Sequence, residues 1–380
     1  MKLVLSLVCL LTCLYCLGQK PLYPQDAAVN EYVQSEMKAT GAPGIAVAVV
    51  KNGTLLHCNT YGIANAEYNL PVTENTAFQI ASVTKLFTST LVLKYIQDQK
   101  LNLEDYISKY ISNAPESWKT IQVKHLLAHE GGIMWPSSLG GYMGIGGNNA
   151  SFKVEPMDEL IGKLKDSALV FQPGTKQMYQ NGDYFVLQYI LEKIGGKPIE
   201  ELFQSDLFTP LTMTNSGFDK EVRTPQYQTM QPLKNKSQNF TKGKQGLLVF
   251  KGFYAPSSYT GGGMYLTIAD AVKWAVSLDK ETYITNESQS LFTKKTNVKE
   301  GFTYLGWTYQ LNQGHEMIGH SGGPGLGDIF RFPKEKLTVI VLSNYADMFP
   351  YMAAEIAQMY IKDITLAKVP KTIQRQLPVR

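Results

Sequence analysis

The sequence predicts an α+β fold: an antiparallel sheet flanked by N- and C-terminal helices, with an all-helical lobe inserted between its strands. Three observations support this prediction. Strand patterns occur near both ends of the chain, helical spacing dominates between them, and a helical pattern lies outside the strands at each terminus. We therefore expect one domain, with an α/β lobe formed by residues 25–64 and 259–365 and a helical lobe formed by residues 65–258.

The N-terminal elements are a helix followed by a hairpin. Apolar residues recur at helical spacing over residues 25–40, and a glycine ends the run. Residues 44–50 are small or β-branched, as is typical of a buried strand. Asn52 and Gly53 then form a strong signal for a tight turn, so we expect residues 54–63 to return as the partner strand.

The remaining elements follow the same two periodicities. Helical patterns separated by loops rich in Gly, Pro, Asn and Ser occur at residues 86–99, 123–128, 157–164, 184–194, 199–207 and 268–278. Strand patterns follow at residues 303–311, 315–318, 327–332 and 337–343. A final helical pattern occupies residues 351–361.

The composition is that of an ordinary globular chain. The 380 residues are 44% hydrophobic and 18% charged, which allows one large domain with a substantial core. The net charge of +4 is spread along the sequence, and the most basic stretch, residues 234–251, is diluted by Asn, Gln and Gly. We expect a small-molecule or peptide substrate and no nucleic acid, while the oligomeric state is not determined by these features.

The first 18 residues have the pattern of a secretory signal peptide. One lysine precedes an apolar run that ends at Leu17, and Gly18 precedes the expected cleavage site before Gln19. The run is too short for a stable membrane span, so we expect a secreted or periplasmic domain of residues 19–380. A lipoprotein is less well supported, because no cysteine in this segment follows Ala, Gly or Ser. Cleavage would leave Cys58 as the only cysteine, which excludes an intramolecular disulfide or a thiolate zinc cluster.

Ser82 and Lys85 form the first candidate catalytic pair. They lie three residues apart in F-Q-I-A-S-V-T-K-L, at the beginning of a helical pattern. In a helix this spacing brings two side chains to about 5 to 6 Å at Cβ, so the lysine can accept the serine proton. The unpaired N–H groups and positive dipole end of a helix start favour both an alkoxide and a neutral amine. The pair indicates a covalent hydrolase, although an N-cap serine with an exposed lysine fits the same spacing.

Tyr179 and Asn181 form a second candidate pair, in a Y-x-N arrangement before a helical pattern. A phenol with a pKa of about 10 is protonated at neutral pH, and a neighbouring ammonium is expected to lower that pKa. The Asn181 amide both donates and accepts hydrogen bonds, which suits contact with a lysine and a substrate amide. A buried tyrosine and a turn asparagine would give the same pattern.

A third segment, His320-Ser321-Gly322-Gly323, lies at the end of a predicted strand. Because the two glycines have no side chains, a substrate can lie against the backbone there. Such a strand edge can pair with a peptide and offer an N–H group to an oxyanion. We therefore predict that these four residues bind substrate.

The order S-x-x-K, Y-x-N, H-S-G resembles that of the penicillin-recognising serine hydrolases, the group that includes class C β-lactamases, DD-peptidases, D-aminopeptidases and esterases. The resemblance covers residues 27–361 and implies a β-lactamase-like fold with the active site between the lobes and no cofactor. Supporting matches surround the three motifs, at residues 76–78, 125–133, 171–174 and 261–267.

The resemblance also implies a role for each site residue. Ser82 would be the nucleophile and Lys85 its neighbouring proton acceptor. Tyr179 would pass a proton to the leaving group, and Asn181 would bind the substrate amide. The N–H groups of Ser82 and Gly323 would form the oxyanion hole. Whether Lys85 or Tyr179 is the general base stays open at this point.

His320 departs from the β-lactamase pattern. A β-lactamase of this group usually has lysine there, whereas histidine resembles the DD-peptidase and esterase branches. With a pKa of about 6.5 an imidazole is only partly charged at pH 7, so it attracts a substrate carboxylate less well. We expect D-amino-acid peptides, esters or β-lactams as substrates; a true class C-type β-lactamase and a non-catalytic penicillin-binding protein are the alternatives. Loops at residues 142–152 and 232–259 are expected to edge the cleft.

Two competing sites are excluded by order and spacing. Residues 319–323 also fit the G-x-S-x-G nucleophile elbow, but that site needs a histidine later in the chain, and every histidine precedes Ser321. His125 and His129 stand four residues apart, as zinc ligands on a helix can, yet no Glu follows the first and no third ligand is evident. We predict no metal site.

Overall fold

The computed structural model describes residues 24–134, 157–165, 168–223, 228–250, 254–296, 301–323, 325–348 and 351–365. The predicted signal peptide and the loop at residues 142–152 lie outside the described residues, and both stay predictions. The division into two lobes likewise stays a prediction, although the described elements fit it.

Strands lie near both ends of the chain and, in shorter pieces, between them. In chain order they are β1 (Gly44–Lys51), β2 (Thr54–Asn65), β3 (Leu70–Pro71), β4 (Phe78–Gln79), β5 (Gly217–Phe218), β6 (Lys220–Arg223), β7 (Gln228–Gln231), β8 (Asn239–Gly243), β9 (Gly246–Phe250), β10 (Met264–Leu266), β11 (Thr308–Asn312), β12 (His315–Gly322), β13 (Gly327–Phe332) and β14 (Leu337–Ser343).

The main sheet joins the two ends of the chain. The strand order is β11-β12-β13-β14-β1-β2-β3, and adjacent strands in the sheet are antiparallel. The N-terminal hairpin meets the C-terminal strands where β1 pairs with β14, from Ile45 opposite Ser343 to Lys51 opposite Leu337. The predicted α+β fold, with one sheet built from distant segments, is confirmed.

The α-helices cover the sheet and fill the segment between its halves. They are α1 (Pro24–Thr40), α2 (Thr84–Gln97), α3 (Val123–Leu127), α4 (Met157–Lys165), α5 (Asn181–Gly195), α6 (Ile199–Leu202), α7 (Ile268–Asp279), α8 (Asn286–Gln289) and α9 (Met352–Ala357). Within the described ranges, no helix is sufficiently long and apolar to cross a bilayer.

The two faces of the sheet have separate hydrophobic cores. Because side chains alternate along a strand, Val47 and Val49 point to one face and Ala46 and Ala48 to the other. The valines pack with apolar residues of α1 and α9, which form the outer layer. The alanines pack with α2 and α7, whose cluster continues into the other helices. The small side chains on the inner face let α7 approach the sheet closely.

We expected the inserted segment to be all-helical, and in the structure it is not. It also contains two local hairpins, β6 with β7 and β8 with β9. Each pairs only four or five residues across a short connection, so neither needs the long alternating run by which a strand is recognised.

Two predicted elements are shorter than expected. The strand predicted over residues 303–311 begins only at Thr308, because Gly306 adopts a left-handed φ of 74° that interrupts an extended chain. The helix predicted over residues 351–361 ends at Ala357, after which the Met359 and Tyr360 N–H groups donate to carbonyls three residues earlier, as in a 3₁₀ turn.

Candidate active site

Ser82 lies in a short 3₁₀ turn, Ala81–Val83, that connects β4 to α2. Ala81 is buried and has a left-handed φ of 46°, a strained conformation for a residue with a Cβ. Ser82 itself is half-buried and immediately precedes the first turn of α2. The positive end of the α2 dipole favours negative charge near its hydroxyl, whereas the Val83 and Thr84 N–H groups already donate within the turn, to the Ile80 and Ala81 carbonyls.

Lys85 is buried one turn further along. Its Nζ donates a hydrogen bond to the Gly261 carbonyl at 2.7 Å and lies 4.8 Å and 4.7 Å from the ring centroids of Tyr179 and Tyr184. Burial lowers the pKa of Lys85 to about 7. A substantial fraction of this lysine is therefore a neutral amine near neutral pH, the form that can accept a proton from Ser82.

Tyr179 contacts Ser82 directly. Its hydroxyl donates a hydrogen bond to Ser82 Oγ at 2.7 Å, and 40% of the residue is exposed. Desolvation of the buried part raises the pKa of Tyr179 to about 12, against the smaller effect of the Ser82 hydrogen bond. The expected lowering of this pKa by Lys85 is therefore wrong in direction. The phenol is a proton donor at neutral pH.

Asn181 is the first residue of α5 and lies two positions after Tyr179. Its Oδ1 is buried and has no hydrogen-bond partner among the described residues. The start of α5 is fixed by Asp183, whose carboxyl accepts hydrogen bonds from the backbone N–H groups of Gly131 and Ile133, each at 3.3 Å. Asn181 therefore presents an unused acceptor from a fixed position, which suits an N–H donor of a substrate.

His320 lies on β12 and is 5% exposed. Its Nδ1 lies 2.7 Å from the Ser321 carbonyl, which can only accept, so this nitrogen carries the proton. Nε2 is buried without a partner among the described residues and is left as an acceptor. Burial, and then the charge of Lys85, lower the pKa of His320 to about 3. The expectation of a partly charged imidazole at pH 7 is wrong, because the ring is buried beside a second base.

Ser321 is the one predicted site residue whose side chain is turned away. Its hydroxyl donates to Asp328 Oδ1 at 2.8 Å, and Asp328 Oδ2 accepts from the Ala353 N–H of α9 at 3.0 Å. Those contacts lie on the outer face of the sheet, opposite His320, because successive strand residues alternate. Only the backbone of Ser321 is left to contact a substrate.

Gly322 and Gly323 differ in what surrounds them. A Cβ at Gly322 would lie 2.2 Å from the carbonyl oxygen of Ile80, so this glycine lets the serine turn pack against β12. A Cβ at Gly323 would meet no heavy atom of the described residues within 4 Å. Gly322 therefore has a packing role, whereas Gly323 borders open space, as expected for a substrate-binding position.

His129, considered from the sequence only as a possible metal ligand, packs against the candidate site. It is buried with a left-handed φ of 58°, and its carbonyl accepts a hydrogen bond from the Met178 N–H at 3.0 Å. Its ring packs on Tyr179, with centroids 4.4 Å apart, and Nδ1 lies 3.2 Å from the backbone N of Gln180. His129 therefore fixes the backbone on both sides of Tyr179. Only the motif match at residues 125–133 pointed to it, because the contacts join distant segments.

His125 and His129 do not combine as metal ligands. His125 Nδ1 accepts a hydrogen bond from the Gln122 N–H at 3.1 Å and so caps α3. In the part of the chain that the structure describes, no group of three or more His, Cys, Asp and Glu could hold a metal ion. A cavity of about 440 Å³ lies elsewhere, beside Tyr189 and Glu192, and has none of the predicted site residues in its lining.

Several known proteins are similar to this chain in sequence. A teichoic acid D-alanine hydrolase of Staphylococcus aureus (strain MRSA252) is 28% identical over 250 residues, which cover 66% of this chain and 56% of that protein. A protein of Escherichia coli O157:H7, provisionally named a D-alanyl-D-alanine carboxypeptidase, is 24% identical and covers 83% of this chain and 81% of its own length.

A solved structure and a family comparison extend this likeness to most of the chain. The octameric penicillin-binding protein homologue from Pyrococcus abyssi superposes with a TM-score of 0.71 and 27% identity, covering 88% of this chain and 76% of that one. The family described as Beta-lactamase matches residues 29–360. The protein therefore belongs to the β-lactamase family and is a serine hydrolase of that type.

Proposed function

We propose that the protein is a secreted or periplasmic, cofactor-free hydrolase that forms an acyl-enzyme on Ser82 with D-amino-acid peptides or esters. The observation that carries this proposal is the contact of Ser82 Oγ with Tyr179 beside a buried Lys85 whose pKa is about 7. An activated serine needs a base of this kind, with a pKa near the operating pH.

In the proposed acylation, neutral Lys85 accepts the Ser82 proton while Oγ attacks the substrate carbonyl carbon. The backbone N–H groups of Ser82 and Gly323 stabilise the resulting oxyanion. Tyr179 donates its proton to the leaving nitrogen or oxygen as that bond breaks, and the Lys85 ammonium returns a proton to the phenolate. A water molecule then attacks the acyl-enzyme and releases the acid.

The substrate class follows from the acceptors at the site. Asn181 Oδ1 and His320 Nε2 are both buried without partners among the described residues, so a substrate that offers N–H donors would satisfy them. A neutral His320 supplies no cation for a substrate carboxylate. Because a β-lactam and a peptide ending in D-Ala-D-Ala both carry a carboxylate, the preference for D-alanyl peptides and esters over β-lactams rests on the relatives named for D-alanine chemistry.

Parallel turnover assays test the proposal. We expect a D-Ala-D-Ala peptide or a short-chain p-nitrophenyl ester to be hydrolysed faster than nitrocefin, and Ser82→Ala to abolish all three activities. Fast nitrocefin turnover alone would instead identify a class C-type β-lactamase. Labelling by a fluorescent penicillin without turnover of any substrate would identify a non-catalytic penicillin-binding protein.

The proposed location has its own test. The N-terminal residue of the mature protein, determined by mass spectrometry after expression in a secreting host, should be Gln19. An intact Met1 on the exported protein would contradict cleavage of the leader.

A further inference from the structure

The hairpin of β8 (Asn239–Gly243) and β9 (Gly246–Phe250) exposes three consecutive apolar side chains. Leu247, Leu248 and Val249 are 49%, 57% and 44% exposed. Because successive strand residues point to opposite faces, this places exposed apolar surface on both faces of the hairpin. Contiguous apolar exposure of this kind marks a surface that contacts a partner.

The base of the hairpin is firmly attached to the protein. Phe240 is buried, its N–H donates to the Asn344 carbonyl at 2.7 Å, and its carbonyl accepts from the Ala346 N–H at 2.8 Å. These bonds occupy the outer edge of β8, whereas β9 pairs only with β8 among the described residues. The exposed leucines therefore lie on an edge strand whose position is fixed.

Two lysines lie next to the apolar side chains. Lys242 is paired directly opposite Leu247, and Lys244 lies in the turn; both are exposed. Neither forms an ion pair with a described residue. Asp347 is the carboxylate at the base of the hairpin, where it accepts hydrogen bonds from the Thr241 hydroxyl and the Lys242 N–H. The exposed apolar strand β9 therefore lies beside two lysines and one carboxylate, which leaves a net positive charge along it.

We propose that this hairpin docks the protein on an anionic lipid surface. A rigid protein partner covers one face of a strand, whereas the interfacial layer of a bilayer is fluid and can surround both faces. Lysine stems lie along apolar surface while their ammonium groups reach lipid phosphates. Leu247, Leu248 and Val249 supply the apolar contact, and Lys242 and Lys244 supply the selectivity for anionic headgroups.

Docking would also orient the active site. The hairpin begins at Asn239, whose Nδ2 donates to Gln79 Oε1 at 2.7 Å, and the preceding Ser237 N–H donates to the Ala77 carbonyl at 3.0 Å. Gln79 lies in β4 (Phe78–Gln79), the strand that leads into the Ser82 turn, and Ala77 immediately precedes that strand. If the proposed function holds, the nucleophile would therefore work close to the bilayer, on substrates attached to the cell envelope. The docking itself does not depend on the catalytic proposal.

Sedimentation with vesicles tests the docking. The full protein, exported and with its N-terminus verified, is mixed with vesicles of equal parts phosphatidylcholine and phosphatidylglycerol, or of phosphatidylcholine alone. We expect preferential binding to the anionic vesicles that weakens at high salt. The triple variant Leu247→Thr/Leu248→Thr/Val249→Thr should bind about tenfold less, and Lys242→Gln/Lys244→Gln should lose the preference for phosphatidylglycerol.

The matched control is Leu311→Thr, which removes an equally exposed leucine from the edge strand β11. It should bind like the wild type, and hydrolysis of a soluble ester by each variant is measured beside the wild type, because residues 232–259 are also expected to edge the cleft. Equal binding by the triple variant and the wild type would overturn the proposal. A wild-type dimer, detected by light scattering and absent in the triple variant, would also overturn it, because the hairpin would then be covered by a second copy. A raised KM for the soluble ester in the triple variant, with vesicle binding unchanged, would instead make the hairpin a wall of the substrate cleft.

Discussion

The protonation states of Lys85 and Tyr179 determine how the serine is activated. Burial acts on both, but it lowers the pKa of the lysine to about 7 and raises that of the phenol to about 12. In each case burial disfavours the charged form. Under the proposed mechanism these pKa values make Lys85 the base near neutral pH and Tyr179 the acid.

This difference predicts the pH dependence of the reaction. Below about pH 7 Lys85 becomes protonated and cannot accept the Ser82 proton, so kcat/KM for a neutral ester should rise with pH and level off above that value. Lys85→Gln should lower kcat/KM by about 10²-fold or more, whereas the exposed Lys100→Gln should leave it unchanged. A midpoint near pH 10 would contradict the assignment, since it would indicate a lysine with an ordinary pKa.

His320 gives a second prediction, about substrate choice. Since burial and Lys85 lower its pKa to about 3, it stays neutral over the working range, and carboxylate and ester substrates should show parallel pH profiles. His320→Lys should raise the ratio of kcat/KM for a carboxylate substrate to that for an ester by about tenfold, because it adds a cation. The neutral variant His320→Gln should not raise the ratio. If the two substrates follow different profiles in the wild type, the neutral assignment fails.

The sequence predicted which candidate side chains lie close together, but not the backbone contacts around them. Ser82, Lys85 and Tyr179 come together as the motif order implied. The Gly261 carbonyl that holds Lys85 and the His129 contacts around Tyr179 depend on tertiary packing, which local patterns do not encode. The outward direction of Ser321 was accessible from strand alternation once His320 was placed inward.

Among the secondary-structure elements, β12 and the serine turn meet at a glycine. A Cβ at Gly322 would lie 2.2 Å from the Ile80 carbonyl, a contact too close for either backbone to accommodate without moving. Gly323, the next residue, borders open space. A substitution at Gly322 therefore tests the packing of β12 against the serine turn. The same substitution at Gly323 tests only the conformational freedom of a glycine.

Alanine at these two positions should have different effects. Gly322→Ala should lower the free energy of unfolding by about 1–3 kcal/mol and reduce kcat, because the serine turn must shift away from β12. Gly323→Ala should change stability by no more than about 0.5 kcal/mol. Urea unfolding and ester hydrolysis measure both effects. Equal losses of stability in the two variants would mean that the Ile80 contact does not determine the position of the turn.

Element boundaries were predictable where the pattern is local. The bounds of β13 (Gly327–Phe332) and β14 (Leu337–Ser343) are confirmed to the residue, because turn-forming residues, Pro333 and Asn344, end both strand patterns. The start of β11 was wrong because Gly306 bends the chain so that it packs against the Leu127 carbonyl and the Tyr184 hydroxyl. Neither contact is visible in an alternating pattern.

For the molecule as a whole, one buried carboxylate connects the inner helix layer with the sheet. Asp279 ends α7, and its Oδ1 accepts a hydrogen bond from Arg331 Nη1 of β13 at 2.6 Å. Its Oδ2 accepts from the Gly53 N–H in the β1–β2 turn at 2.7 Å. Arg331 also donates to Thr338 Oγ1 of β14 at 3.0 Å. Strands from both ends of the chain are thus tied to the same helix.

Removing this carboxylate should destabilise the whole domain. Asp279→Ala leaves a buried guanidinium without its partner, and breaking such a pair costs about 3–5 kcal/mol. The double variant Asp279→Ala/Arg331→Met should recover part of that loss, because no unpaired charge is left in the interior. Asp98→Ala, which removes the partly exposed pair with Lys94, should cost only about 0–1 kcal/mol. Urea unfolding of the four proteins measures these differences, and a cost for Asp279→Ala no larger than that for Asp98→Ala would show that the buried pair does not hold the two layers together.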